Sequence, residues 1–246
     1  MPRLAALAFA CCLLWAVTGT AAASERETIG HSVQGRPIVA AVKGEAEAPL
    51  RVLVVGAIHG DEAAGMRVTR RLIASAPPRG VALWVVPSLN PDGVAAGTRG
   101  NAHGVDLNRN FPFAWRPLGG LEYSGPRPLS EPESRAAARL VRQLQPDLTL
   151  WFHQPFGLVD RSGGNPAIER RFAELIGLPY RGIARPPGSV SSWQNHMLPQ
   201  GSATVVELPT VAGDRLVARS ARAVRTLAAE LASPALGDAE PERIGR

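Results

Sequence analysis

Four ionisable side chains lie where apolar segments of this chain end. His59 and Glu62 follow the first of three such segments, His153 ends the second and Glu207 follows the third. Two imidazoles and one carboxylate are the ligand set of a catalytic zinc, which keeps its fourth coordination position for water. A further glutamate can take a proton from that water and pass it to a leaving amine. The sequence therefore predicts a zinc hydrolase in which Glu207 is the general acid/base.

Each of these motifs has a simpler explanation when it is taken alone. His-x-x-Glu is common where helices begin, because an acid there interacts favourably with the helix dipole. His153 would serve equally as a hydrogen-bonded histidine at a strand end, and Glu207 as a buried, paired carboxylate. Ligands of open α/β sheets, however, bind beyond the carboxyl ends of the strands. The shared position of the four residues at such ends favours the metal site.

The elements that must position these residues alternate between strands and helices, which predicts an α/β fold with a mostly parallel sheet covered on both faces. Short apolar runs rich in β-branched residues indicate buried strands. Ser130 and Glu133 form a capping-box pattern at the start of one helix. The predicted strands are 37–43, 51–57, 81–86, 147–152 and 204–206, and the predicted helices are 61–75, 130–145, 165–177 and 214–231.

A long segment between these elements, residues 88–127, is rich in Gly, Pro and Asn. A loop of this length in a compact domain is usually functional. Arg109 lies in it, and the planar guanidinium of arginine suits a substrate carboxylate. Arg99 would polarise the carbonyl of the bond to be cleaved and stabilise the oxyanion. Taken alone, either arginine is equally explained as a solvated surface charge.

The first 23 residues have the pattern of a secretory signal peptide. A basic tip at Arg3 precedes an apolar run over 4–17, and small residues lead to a predicted cleavage after Ala23. A retained membrane anchor is the alternative, because the run is nearly long enough to span a bilayer. Cleavage would remove both cysteines and leave a catalytic domain over 24–233 and a loosely ordered tail over 234–246. No second apolar run reaches membrane-spanning length.

The composition is that of a globular chain with a basic surplus. The sequence has 246 residues, 45% of them hydrophobic, and a formal charge of +6. These values exclude a disordered, collagen-like or disulfide-stapled chain. Lys43 is the single lysine, and the arginines are scattered rather than clustered, so we expect no nucleic-acid surface and an acidic partner or substrate instead. Nothing in the sequence predicts an oligomeric state.

Taken together, the motifs resemble those of the zinc carboxypeptidase family and follow the family's order. They comprise residues 56–62, 90–93, 99–101, 104–112, 123–126 and 130–133, with His153 and Val206-Glu207. The resemblance implies a mixed, mostly parallel sheet between helices and one zinc ion per chain. It implies these roles: His59, Glu62 and His153 as zinc ligands, Glu207 as general acid/base, Arg99 as the carbonyl-polarising residue, and Asn108 with Arg109 as the clamp for a substrate carboxylate. A metal-bound imidazole needs an acceptor on its other nitrogen, and we expect Asp61 either to orient a ligand or to cap the following helix.

Within the family, the short chain is similar to small bacterial members related to murein peptide amidase. That resemblance implies a bacterial enzyme that cleaves the γ-D-Glu–meso-diaminopimelate amide of acidic muropeptides. Murein peptide amidase is usually cytoplasmic, whereas the signal-peptide pattern of residues 1–23 predicts an exported protein, periplasmic or secreted. The serines of the segment 186–193 predict a polar specificity pocket. Neither Tyr123 nor Tyr180 stands where family members carry a substrate-covering tyrosine. Two alternatives remain: an exported metallocarboxypeptidase that removes C-terminal amino acids, and a peptide-binding protein without catalysis.

Overall fold

The computed structural model describes residues 25–45 and 47–233. The predicted signal peptide and the predicted tail lie outside these residues. Within them, no helix is both long and apolar enough to cross a membrane.

One sheet of eight strands organises the described chain. Its order is β1-β2-β4-β3-β5-β8-β6-β7. Four of the seven strand pairings are parallel, and the antiparallel ones join β1 to β2, β2 to β4 and β6 to β8. The predicted mixed, mostly parallel sheet is therefore confirmed. The strands are β1 Glu25–His31, β2 Pro37–Lys43, β3 Leu50–Val55, β4 Val81–Val86, β5 Leu148–His153, β6 Phe156–Asp160, β7 Tyr180–Arg181 and β8 Ser202–Pro209.

Helices cover both faces of the sheet. The larger apolar core lies between the sheet and α1, α4 and α6, and the second lies beneath α3 and α5. The strands at the centre are buried on both sides, which explains their continuous apolar runs. The helices are α1 Ala64–Ile73, α2 Pro91–Ala96, α3 Pro132–Leu144, α4 Pro166–Ile176, α5 Val190–Met197 and α6 Asp214–Ala232.

The structure differs from the sequence predictions at the edges of the sheet and at two helix starts. Strands β1, β6 and β7 and helix α5 were not predicted. The predicted capping box at α3 is wrong: Glu131 is the N-cap residue and makes no side-chain cap, and Ser130 Oγ instead donates to the Glu131 carboxylate at 2.7 Å. The predicted turn at 90–93 opens α2, where the Asn90 side chain accepts from the Gly93 amide at 2.9 Å.

Strands β3, β5 and β8 are parallel neighbours at the centre of the sheet. Their carboxyl ends therefore meet at one edge. His153 and Glu207 are direct register partners there. The turn from β3 to α1 brings His59 and Glu62 to the same edge.

Candidate active site

Close backbone contacts shape the turn that carries His59 and Glu62. Gly65, in the first turn of α1, lies against the end of β3, and a Cβ on it would stand 2.0 Å from the Gly56 carbonyl oxygen. A Cβ on Gly60 would meet the backbone of Gly93 at 2.0 Å. The turn can follow this path because these positions have no side chain.

The three predicted metal ligands lie together at the carboxyl edge of the sheet. Nδ1 of His59 is 2.8 Å from Oε1 of Glu62, and Nδ1 of His153 is 3.0 Å from Oε2 of the same carboxylate. All three residues are buried, and their ligand atoms lie within 4.8 Å of one another. Two imidazole nitrogens and a carboxylate oxygen converging in this way fit zinc as its three protein ligands.

Asp106 orients the first of these ligands. Its Oδ1 is 3.0 Å from Nε2 of His59 on the side away from Glu62, as is usual behind a metal-binding imidazole. The expectation that Asp61 orients the ligand is wrong, because Asp61 is exposed and takes no part in these contacts; it also does not cap α1, whose N-cap residue is Ala63. The signal that could have identified Asp106 is its place in the motif at 104–112.

The charges at this edge are strongly coupled. Burial lowers the pKa of His59, but hydrogen bonds to Asp106 and Glu62 outweigh it and raise the pKa to about 8. Burial raises the pKa of the Glu62 and Asp106 carboxyls. Hydrogen bonds to His59, and for Glu62 also to His153, outweigh this and hold the pKa of both carboxyls well below the usual range. Both acids are therefore ionised at neutral pH, as ligands and orienting groups of a cation must be.

Arg99 lies against the same carboxylates and lines the cavity in front of them. Its Nη1 donates to Glu62 at 3.1 Å and its Nε to Asp106 at 3.0 Å. Burial lowers the pKa of Arg99, and the charges of Asp106 and Glu62 more than compensate. The guanidinium is thus held by two acids while its side chain remains 28% exposed to the cavity.

Asn108 and Arg109 are positioned by a short 3-10 turn, Leu107–Arg109, and both are nearly buried. The Asn108 side-chain oxygen accepts from the Val190 amide at 2.9 Å, which leaves its NH2 group towards the cavity that it lines. Nη2 of Arg109 contacts Oε1 of Glu122 at 2.6 Å. Nε of Arg109 is buried with no hydrogen-bond partner among the described residues.

Glu207 faces the metal ligands from β8. Its Oε2 is buried and has no hydrogen-bond partner within the described part of the chain. Burial raises the pKa of Glu207, partly offset by the charge of His153. A buried carboxylate oxygen without a partner is costly in a structural role. It is available to a proton of a bound molecule.

All seven residues predicted for the site line one cavity of about 340 Å³. The segment 186–193 lines this cavity through Pro186 and its serines, as the sequence predicted. Helix α5 begins within this segment, at Val190. Neither tyrosine of the chain lines this cavity. The predicted residues that it brings together are His59, Glu62, Arg99, Asn108, Arg109, His153 and Glu207.

Comparison with known proteins identifies the family. Residues 20–157 match the zinc carboxypeptidase family. The chain belongs to the zinc carboxypeptidase family. This membership confirms the predicted class of enzyme, a zinc metallopeptidase or amidase, and the predicted cofactor.

Several relatives are similar over most of their length. Murein peptide amidase A of Escherichia coli (strain K12) is 30% identical over 183 residues, which cover 68% of this chain and 75% of the relative. Murein peptide amidase A of Vibrio campbellii is 29% identical over 201 residues, 75% of this chain and 79% of the relative.

Solved structures agree with the fold. The crystal structure of murein-tripeptide amidase from Escherichia coli O157 superposes with a TM-score of 0.70 at 26% identity, covering 83% of this chain and 91% of that one. Carboxypeptidase A from Helicoverpa armigera superposes with a TM-score of 0.73 at 18% identity, over 88% of this chain and 70% of that one.

Proposed function

We propose that this protein is a zinc-dependent amidase of peptidoglycan-derived peptides that cleaves the γ-D-Glu–meso-diaminopimelate bond. The observation that carries the proposal is the buried cluster of His59, Glu62 and His153 opposite the unpartnered oxygen of Glu207. The substrate class is supported by the similarity to murein peptide amidases over three quarters or more of their length.

The residues around the cluster divide the reaction between them. Zinc, when bound by the two histidines and Glu62, supplies Lewis-acid chemistry to this corner of the cavity. Glu207 takes up a proton at Oε2 from the water that attacks the amide carbon, and it returns this proton to the departing amine. Arg99 donates N–H groups to the carbonyl oxygen, on which negative charge develops. Hydrogen bonds from Arg99 to Glu62 and Asp106 fix the guanidinium before substrate binds.

The carboxylate next to the cleaved bond binds at Arg109 and Asn108. In the tripeptide L-Ala-γ-D-Glu-meso-diaminopimelate, this carboxylate belongs to the diaminopimelate centre whose amine forms the amide. The guanidinium offers planar N–H donors, and the Asn108 NH2 group lines the cavity beside it. Arg99 and Glu207 line the same cavity as this clamp.

We further propose that the protein works outside the cytoplasm, after removal of residues 1–23. The support is the basic, apolar and small-residue pattern of that segment. Fractionation of the producing bacterium and N-terminal sequencing of the protein test this: a protein in the periplasm or medium that starts near Ser24 is expected. A cytoplasmic protein that starts at Met1 would contradict it.

The activity is tested with two substrate sets on the zinc-loaded protein. One is L-Ala-γ-D-Glu-meso-diaminopimelate, and the other is a mixture of peptides with free C-termini. Release of L-Ala-D-Glu and free diaminopimelate is the expected result. Release of single C-terminal residues from the second set alone would make the protein a carboxypeptidase, and no cleavage by zinc-loaded protein would leave a binding protein.

Three variants assign the residues. Glu207→Gln should keep one zinc per chain and lose at least about 100-fold in kcat, the usual contribution of a positioned acid/base. His153→Ala should lose zinc, measured by elemental analysis, while His31→Ala, an exposed histidine of β1, should retain it. An active Glu207→Gln variant would show that the proton is transferred by another group.

A further inference from the structure

The cavity continues past Glu207 to a second polar end. Strands β6 and β8 are antiparallel with Leu158 opposite Glu207 and Val159 opposite Val206, and the next step of this register brings Asp160 beside Val205. Both residues line the cavity. Two residues along a strand span about 7 Å. The far end of the cavity, at Asp160 and Val205, therefore lies about one extended side chain away from Glu207.

Asp160 is a buried carboxylate without a charged partner. Its Oδ1 accepts from the Ile183 amide at 2.8 Å and its Oδ2 from the Ser162 hydroxyl at 3.2 Å. Among residues 25–45 and 47–233, no arginine, lysine or histidine nitrogen comes within 4.0 Å of it. A buried acid without a cation is costly. The two donors orient Asp160 and leave its charge for a ligand.

A second unused polar atom lines the same cavity. The hydroxyl of Ser189 is buried and has no hydrogen-bond partner in the described chain. Ser191 and Ser192 continue this wall from α5. A pocket for an apolar side chain would not keep a buried acid and an unpartnered hydroxyl in its lining.

Arg185 supplies the opposite charge at the rim. Its Nη2 donates to the Arg161 carbonyl at 3.0 Å, and its guanidinium lies over Gly163, where a Cβ would stand 3.1 Å from Nη1. No carboxylate lies within 4.0 Å of Arg185 in the part of the chain that the structure describes. The loop that holds Asp160 through Ile183 thus also carries an unpaired arginine.

We propose that Asp160 and Arg185 select substrates whose leaving side chain ends in an ammonium and a carboxylate on one carbon. Asp160 binds the ammonium at the cavity floor, and Arg185 binds the carboxylate at the rim. This inference rests on the proposed function and deepens it, because the distal end of meso-diaminopimelate carries these two groups. Asp160 and Arg185 determine specificity and do not touch the reacting bond.

Binding of free amino acids tests the pair apart from catalysis. Four ligands share the same carbon reach: meso-diaminopimelate has both distal groups, L-lysine lacks the carboxylate, L-2-aminopimelate lacks the ammonium, and L-norleucine lacks both. Isothermal titration of the full zinc-loaded protein should show that diaminopimelate binds at least about tenfold more tightly than lysine or 2-aminopimelate. The reason is that diaminopimelate makes one more charge-assisted contact than either of these ligands.

The variants should remove one preference each. Asp160→Asn retains an acceptor for the Ile183 amide and should abolish the preference for diaminopimelate over 2-aminopimelate. Arg185→Gln should abolish the preference for diaminopimelate over lysine. Arg116→Gln is the matched control, because Arg116 is an exposed arginine of the neighbouring cavity. Unchanged norleucine affinity and Tm show that each variant is folded.

The outcomes separate this inference from the proposed function. A wild-type protein without preference for diaminopimelate, or a folded Asp160→Asn variant that keeps it, overturns the inference even if the γ-D-Glu bond is cleaved. Preferences that are lost in the variants support the inference even if that bond is not cleaved, in which case the proposed function alone fails. If Asp160→Asn does not fold, Arg185→Gln decides.

Discussion

Glu122 forms an ion pair with Arg109, the arginine that we assign to the substrate carboxylate. Its Oε1 lies 2.6 Å from Nη2 of Arg109, at the end of the 3-10 turn Gly120–Glu122, and its side chain is 53% exposed. An incoming carboxylate competes with Glu122 for the Arg109 guanidinium. Glu122→Gln should therefore favour substrate binding by removing the competing charge. An ion pair with so exposed a partner contributes about 0.5–1 kcal/mol, which corresponds to a two- to fivefold effect.

Steady-state kinetics on the muropeptide test this expectation. KM should fall about two- to fivefold in Glu122→Gln while kcat stays constant, because the carboxylate held by Arg109 binds equally in the ground state and the transition state. A substrate whose carboxylate next to the cleaved bond is converted to an amide should show no such gain. Added salt should reduce the difference between the wild type and the variant, since it screens an exposed pair.

The control is Glu174→Gln, which removes a similarly exposed carboxylate from Arg171 on the surface of α4. Its kinetics should equal those of the wild type. A rise in KM for Glu122→Gln would refute the reasoning, because it would mean that Glu122 holds Arg109 in place or binds substrate itself. An equal gain with the amidated substrate would refute it as well.

Three further substitutions probe the scaffold. Gly65→Ala should lower the free energy of unfolding by about 2–3 kcal/mol in urea titrations, because the clash with Gly56 outweighs the better helix propensity of alanine. Asn101→Asp should cost at least about 2 kcal/mol by the same measurement, since Asn101 donates to two buried glutamates that a carboxylate would repel. Hydrogen bonds from Gln34, Ser32 and Arg36 outweigh burial and lower the pKa of Asp92, so its stabilisation is present above about pH 4 and lost below it. Asp92→Asn should therefore reduce the fall in Tm between about pH 5 and about pH 2; an unchanged acid profile would contradict this.

The sequence predicted the central strands well because their patterns are strong. Strand β3 and strand β5 are apolar runs buried on both faces, and helix α1 follows β3 through a glycine-rich turn. The missed elements have weak patterns. Strand β7 has two residues, β6 starts at an exposed Phe156, and α5 has two serines directly after its first residue. These segments take their structure from tertiary contacts: β6 pairs with β8, β7 pairs with β6, and α5 packs on β8.

The predicted capping box at the start of α3 is wrong for a related reason. The pattern Ser130-x-x-Glu133 is local, but both side chains have partners from distant parts of the chain. Ser130 Oγ receives the Asn110 amide at 2.9 Å, and Glu133 accepts from Val33 and Asn101. Tertiary hydrogen bonds of buried groups outweigh a local cap, because a buried donor or acceptor without a partner costs more than a cap contributes.

The sequence by itself determined the donor types and their places at strand ends, since parallel strands must bring those ends to one edge of the sheet. Only the tertiary structure decided that Asp106, 47 residues from His59, orients that ligand. It also decided that Glu122 lies on Arg109, and that Asp160 and Arg185 share the far end of the cavity. Spacing along a chain specifies which residues face one way within a strand or helix. Contacts between distant loops depend on sheet order, register and packing, which no local pattern encodes.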